Sequence, residues 1–272
     1  MTDTKPGFAG FICPKGFGDV PQSFCLSECK NPCHPLPVVA GMGGREVIPG
    51  LYSVTEILKP YQAIYLARHN PYWVTPDSQV FMLNGSVVHY AVENGGEKLD
   101  PALHLIEQRW EREIGGVKIR GTYDYYDVAR KTLWDVKTAK AYTTKKLKGA
   151  SKGHWQDEDY FVQLNIYRAL FVPEAEALKL WVLVQGWTRQ EKDVSPVEQI
   201  SVPMAPVDEV KAFIEGRAKV ILENEADPST IKPCLPKDRW VNERTGKPLR
   251  CLEYCAVNKV CPQHQAWIKE LK

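Results

Sequence analysis

The chain has 272 residues, 44% hydrophobic and 25% charged, with a formal net charge of +2. That is the make-up of an ordinary globular protein, long enough for one large domain with appendages. No stretch is long and apolar enough to span a membrane, and the N-terminus MTDTKPGFAGFICPKG has no signal-peptide core, so the expected setting is cytoplasmic with no membrane partner. The weak net charge excludes a globally basic nucleic-acid binder. Eight cysteines in a reducing compartment point to metal rather than to disulfides.

Residues 1–49 are rich in Pro, Gly and Cys and show little periodicity. Cys13 precedes the run Cys25, Cys29, Cys33. Spacings of four place those three thiols on one face if the run is helical. The segment holds too little apolar material to fold without a staple. Ser53 and Glu56 form a capping box that opens a helix, which Pro60 interrupts. A longer helix is predicted over 77–93, with Val80, Leu83, Val87 and Ala91 as its apolar stripe and Gly85, His89 and Glu93 on another face. Gly95-Gly96 ends it.

Residues 103–113 read as a strand, Gly115-Gly116 as a hairpin turn, and 117–126 as the returning strand. A further strand covers 132–138. Glu107 and Glu111 could lie near the site but are read as solvent-facing strand charges, and Asp127 as a turn residue. From 136 to 156 there is no acidic residue, but Lys140, Lys145, Lys146, Lys148 and Lys152 occur with Tyr142, His154 and Trp155 among them. That stretch is read as contacting DNA, lysines on phosphates and aromatics on unpaired bases, with a solvated loop as the alternative. Helix 157–170 follows with Gln163 and Tyr167 one turn apart. Strands at 178–187 and 199–203 and an amphipathic helix over 207–225 complete an α/β sandwich around a mixed sheet. In residues 226–272, Cys234 precedes Cys251, Cys255 and Cys261, the last followed by Pro262.

Asp124 lies on one predicted strand. Asp135 and Lys137 lie on the next, two residues apart and therefore on one sheet face. Two carboxylates and a lysine converging on a strand pair are what metal-dependent phosphodiester hydrolysis needs. The carboxylates hold a hard cation, and the lysine orients water or neutralises developing charge.

These residues resemble a known family. G-x-x-D ending at Asp124 and D-x-K-T starting at Asp135 are similar to two motifs of the PD-(D/E)XK nucleases. His89 in GSVVHYAVE and the pair Gln163 and Tyr167 in QLNIY resemble further motifs of their RecB-like branch. The likeness covers roughly residues 50–225. It implies a restriction-endonuclease-like core over 50–225, between cysteine-rich, metal-bound segments at 1–49 and 226–272. It also implies magnesium or manganese held by His89, Asp124, Asp135 and the backbone carbonyl of Val136. Lys137 would position the attacking water, and Gln163 and Tyr167 would face the substrate. Apart from the resemblance, Glu93 is read as a partner that could orient His89. The activity implied is DNA cleavage, with an exonuclease on ends or single strands preferred. The alternatives are a DNA-binding or assembly module on the same fold and a zinc-stapled structural protein.

The C-terminal cysteines look like the iron–sulfur group of the AddB-type and CRISPR-associated members, with a four-iron cluster preferred over zinc. They depart from it in the spacing of the near pair and in the source of the fourth ligand. That ligand could be Cys234 or any of Cys13, Cys25, Cys29 and Cys33. Two quartets, Cys13, Cys25, Cys29, Cys33 and Cys234, Cys251, Cys255, Cys261, use all eight cysteines and are the preferred partition, the N-terminal one holding a second cluster or zinc.

Overall fold

The computed structural model describes residues 5–44 and 46–270. The fold is α/β, with mixed sheets flanked by helices. In chain order the strands are β1 (Gly7–Cys13), β2 (Gly18–Pro21), β3 (Leu51–Ser53), β4 (Pro71–Val74), β5 (His104–Ile114), β6 (Val117–Asp127), β7 (Thr132–Lys140), β8 (Ala177–Gln185) and β9 (Val197–Ser201). The helices are α1 (Gln22–Ser27), α2 (Leu36–Gly41), α3 (Val54–Ile57), α4 (Tyr61–His69), α5 (Pro76–Gly96), α6 (Ala141–Ala150), α7 (Asp159–Phe171), α8 (Val207–Ala226), α9 (Pro236–Arg239) and α10 (Pro262–Glu270).

The chain forms two compact units that cut it differently from the three expected segments. One holds 50–58 and 84–219. The other gathers 1–49, 59–83 and 220–272. Long-range contacts explain why the two ends share a unit. β1 pairs in parallel with β4, nearly sixty residues later. Lys259 Nζ reaches both carboxylate oxygens of Asp19, at 2.8 and 3.0 Å. The thiols of Cys234 and Cys261 both donate to Gln62 Oε1 on α4.

The larger sheet runs β3-β6-β7-β8-β9, with β5 along the other edge of β6. Gly115 and Gly116 both take positive φ, 59° and 80°, the backbone that a two-residue hairpin turn requires. They fix the β5–β6 register from Ile114–Val117 outward. β7 is central, antiparallel to β6 and parallel to β8. α6 and α7 form the crossover that a parallel pair needs. Along β8, Leu178, Leu180, Val182 and Val184 are buried and alternate with less buried residues, a period of two that the sequence displays.

The edge of β6 facing β7 is shared. β3 pairs with Lys118–Arg120 and β7 with Tyr125–Asp127. Between them the edge has no strand partner, and α7 comes down on it. A Cβ built on Gly121 would lie 2.6 Å from Tyr167 Cε1 and 2.9 Å from Phe171 Cε2. Glycine there lets the aromatic face of α7 close over the strand.

Several expectations change. The lysine-bearing stretch is not a loop, because Ala141–Ala150 is the helix α6. Val87, expected on the buried stripe of α5, is 65% exposed. The run Cys25–Cys33 is not one helix. α1 ends at Ser27, and Pro32 and Pro35 follow, residues that stop a helix by removing N–H donors and excluding helical backbone before them.

Candidate functional site

Asp124 and Asp135 meet where β6 and β7 part. The ladder pairs Tyr125 with Trp134, so the next step would set Asp124 against Asp135, but the ladder stops. Asp124 instead accepts the Val136 backbone N–H on Oδ2 at 2.5 Å. A strand residue sends its N–H and its carbonyl to the same side, so the Val136 carbonyl also faces Asp124. Asp124 Oδ1 lies 3.3 Å from His89 Nδ1.

Asp135 is 1% exposed, and neither of its carboxylate oxygens is hydrogen-bonded. Lys137 Nζ sits 2.6 Å from Oδ2, an ion pair whose angles fall outside hydrogen-bond geometry. Burial pushes Asp135 up to about 6, against the pull of Lys137. Burial also works against the Lys137 charge, but Asp135 and then Asp124 outweigh it and hold that ammonium above its ordinary value. The two shifts favour different partners. With Lys137 and His89 both cationic beside it, Asp135 is taken as the ionised member of the pair at neutral pH.

His89 Nδ1 faces two carboxylates, Glu107 Oε1 at 3.1 Å and Asp124 Oδ1 at 3.3 Å. The hydrogen bonds to Asp124 and then Glu107 raise it to about 10, against burial. His89 is therefore an imidazolium at neutral pH, a positive charge between two negative ones. His89, Glu107 and Asp124 each present a ligand atom within 4.8 Å of the others, a set able to hold a cation once the cation displaces the His89 proton.

Glu107 corrects the sequence reading, which left it solvent-facing. It stands in β5 at φ 48°, between Ile106 paired with Tyr125 and Gln108 paired with Tyr123. A left-handed glutamate inside a strand is costly and is held by its surroundings. The signal was available: counting the register back from the Gly115-Gly116 turn sets residue 107 against Asp124. Glu93, expected to orient His89, is exposed, and Glu107 and Asp124 do that instead.

Gln163 and Tyr167 are buried on α7, and Gln163 Nε2 donates to the Tyr167 hydroxyl at 2.9 Å. Burial raises Tyr167, and Asp135 adds to the shift. The pair is thus close to the carboxylates but packed beneath them, its polar atoms satisfied by each other. Lys137 Nζ also lies 5.3 Å from the Tyr160 ring centroid. Asp127, three residues past Asp124, accepts from the Arg130 backbone N–H and guanidinium, which is turn chemistry.

The lysine expectation needs revision. Lys145 pairs with Glu191 and Asp193, Lys146 with Glu158, and Lys148 with Glu198. Those acids lie outside the 136–156 window, so their neutralising effect was invisible in it. Among the described residues, Lys140 and Lys152 have no such partner. Trp155 is buried, donates to Glu209 and packs on Phe213, and so is not free to stack on a base. Tyr142 is 80% exposed.

All eight cysteines are free thiols. Cys234 is pushed up to about 12 by burial and then by Cys261, Cys255 and Cys251. Burial and then Cys29, Cys33 and Cys13 raise Cys25. The thiols thus fall into an N-terminal and a C-terminal group. Among the described residues, no three thiols have their sulfurs within 4.8 Å of one another.

No family model and no curated protein matches the chain. The solved structure of SSO0001 is similar to it, with 18% identity, 81% of this chain and 89% of that one covered, and a TM-score of 0.47. At that level the likeness carries no argument about function.

Proposed function

We propose that the unit of 50–58 and 84–219 is a metal-dependent deoxyribonuclease with a RecB-like PD-(D/E)XK core. The observation that carries the reading is Asp135, a buried carboxylate beside Asp124 with the Lys137 ammonium at 2.6 Å and no further partner on its oxygens. Oxygen donors left unsatisfied in that way suit a hard cation, and magnesium or manganese fits them. Asp135, Asp124 Oδ1 and the Val136 carbonyl would hold it, with His89 and Glu107 at its side. The cation, when bound, polarises a phosphate oxygen and acidifies water.

The remaining work falls to the chain. Asp124 ties β7 to β6 through the Val136 N–H, so it fixes the distance between the two strands that carry the site. The Lys137 ammonium has three N–H donors. Held beside Asp135 as an ion pair, it has these donors available to orient a water or to neutralise charge on the scissile phosphate. Glu107 keeps the His89 ring turned towards Asp124. Gln163 and Tyr167 cover the floor and exclude bulk water. Linear DNA is the substrate we favour, contacted by Lys140, Lys152 and Tyr142 rather than by the ion-paired lysines of α6. Cys234, Cys251, Cys255 and Cys261 would hold an iron–sulfur cluster in the other unit.

The test is Asp135→Asn, which keeps the shape and removes the charge. Wild-type protein purified without oxygen should degrade linear DNA with magnesium or manganese. The variant should fold, by circular dichroism, and lose at least a hundredfold in rate, as expected when a principal cation ligand is removed. A wild type inert with both metals, or a variant of near-normal rate, would sink the reading.

A further inference from the structure

We infer that Cys13, Cys25, Cys29 and Cys33 form a second metal site, separate from the C-terminal thiols, whose ligand is an iron–sulfur cluster rather than zinc. The four thiols line one cavity, closed on its apolar side by Phe11 and Met42 among others. They come from three pieces of backbone: the end of β1, helix α1, and the segment that follows it. Lys15, also on the wall, donates to the Asn31 carbonyl at 2.7 Å and pins that segment across the opening.

Spacing and lining both bear on the ligand. Tetrahedral zinc with bonds of about 2.3 Å draws its sulfurs to ~3.8 Å from one another. Among the described residues no three thiols have their sulfurs within 4.8 Å of one another, a wider spread than zinc draws together, although all four line one cavity. A cluster places its own iron and sulfide between the ligands and so holds cysteine sulfurs farther apart. The lining agrees, since apolar walls shield a cluster from solvent while the exposed Cys33 sits at the rim.

The local core gives an independent reason for a ligand. The buried cluster here consists of Phe11, Val20, Val39 and Met42, with Cys13 and Cys25 packed against it. So small a core needs a staple, and a bound cluster supplies one, as structural metals do in small modules.

The experiment uses the full chain, expressed and purified without oxygen. Iron, acid-labile sulfide and zinc are measured on the wild type, Cys29→Ser, Cys33→Ser and Cys255→Ser. We expect each N-terminal variant to lose about half of the iron and sulfide, and Cys255→Ser to lose the other half, for two clusters of one kind. Because a variant could fail to fold, the wild type is also treated with iodoacetamide before and after ferricyanide bleaching, and the labelled peptides are identified. Cys13, Cys25, Cys29 and Cys33 should resist labelling until bleaching. Prompt labelling of those four, unchanged iron in both N-terminal variants, or stoichiometric zinc lost with Cys29→Ser would each overturn the proposal. The nuclease reading rests on other residues and is judged separately by Asp135→Asn.

Discussion

The unit of 50–58 and 84–219 wraps a sheet with apolar helices. Leu133, Leu164, Ile166, Leu180 and Val182 are all fully buried, and it is this core that holds Asp135 dry. The unit of 1–49, 59–83 and 220–272 contrasts with it. Its N-terminal part has four residues in its buried apolar cluster, and its C-terminal part after 226 consists of turns and short helices. The first has core enough to impose strain on a site: a carboxylate without hydrogen bonds and a left-handed glutamate. The second has thiols where a core would be. In one unit the fold carries the cost of the site, and in the other, on our proposal, the bound metal carries part of the fold.

The largest effect expected is on that second unit. Bleaching the clusters should unfold residues 5–44 and 230–270 while residues 104–185 stay folded. Hydrogen exchange followed by mass spectrometry reads this directly: amide protection should collapse in the end segments and persist in β6, β7 and β8. Equal loss in both units, or none in either, would break the comparison.

A middle-sized effect separates function from stability within the unit of 50–58 and 84–219. Glu107 stands at φ 48°, where a glycine rests without strain and an alanine does not. Glu107→Gly should therefore be more stable than Glu107→Ala by about 1 kcal/mol, read from urea midpoints. Both should need more magnesium than wild type for half-maximal cleavage, since both lose the carboxylate that holds His89. If the two variants were equally stable, the backbone at 107 would not be strained. If the metal requirement were unchanged, Glu107 would be a bystander.

The sequence disclosed much of the sheet unit. Periodicity marked β5 to β9 and α7 and α8 to within a few residues, and the short motifs singled out Asp124, Asp135, Lys137 and His89, which the fold brings together. What stayed hidden depends on distant pairing. β1 and β4 contain Gly7, Gly10 and Pro71, and exist because they pair across the intervening chain. The α6 lysines looked like a free basic stretch because Glu191, Asp193 and Glu198 lie some forty to fifty residues on. Trp155 looked available until Phe213 and Glu209 covered it. Glu107 is intermediate. Its register was countable from the hairpin, but no local pattern announces a left-handed strand residue.

The smallest effect concerns Asp127, which lies on the same strand as Asp124 and is also buried. The difference between the two is satisfaction. Asp127 Oδ1 takes the Arg130 N–H at 3.0 Å and Oδ2 takes the Arg130 guanidinium at 2.7 Å. Burial works to raise this carboxyl, but the two hydrogen bonds from Arg130 prevail and hold it below the ordinary carboxylate range. A carboxyl depressed in the folded state contributes stability that is present above its unfolded value, about 3.9. That stability fades as pH falls through the lower folded value. Asp127→Asn should thus cost about 1 kcal/mol at pH 7, with the gap to wild type narrowing below about pH 4. Cleavage should be unaffected, because Asp127 serves the turn and not the cation. A gap that stayed constant down to pH 2 would mean that Asp127 is not charged in the folded protein. A large loss of cleavage would place it in the site beside Asp124.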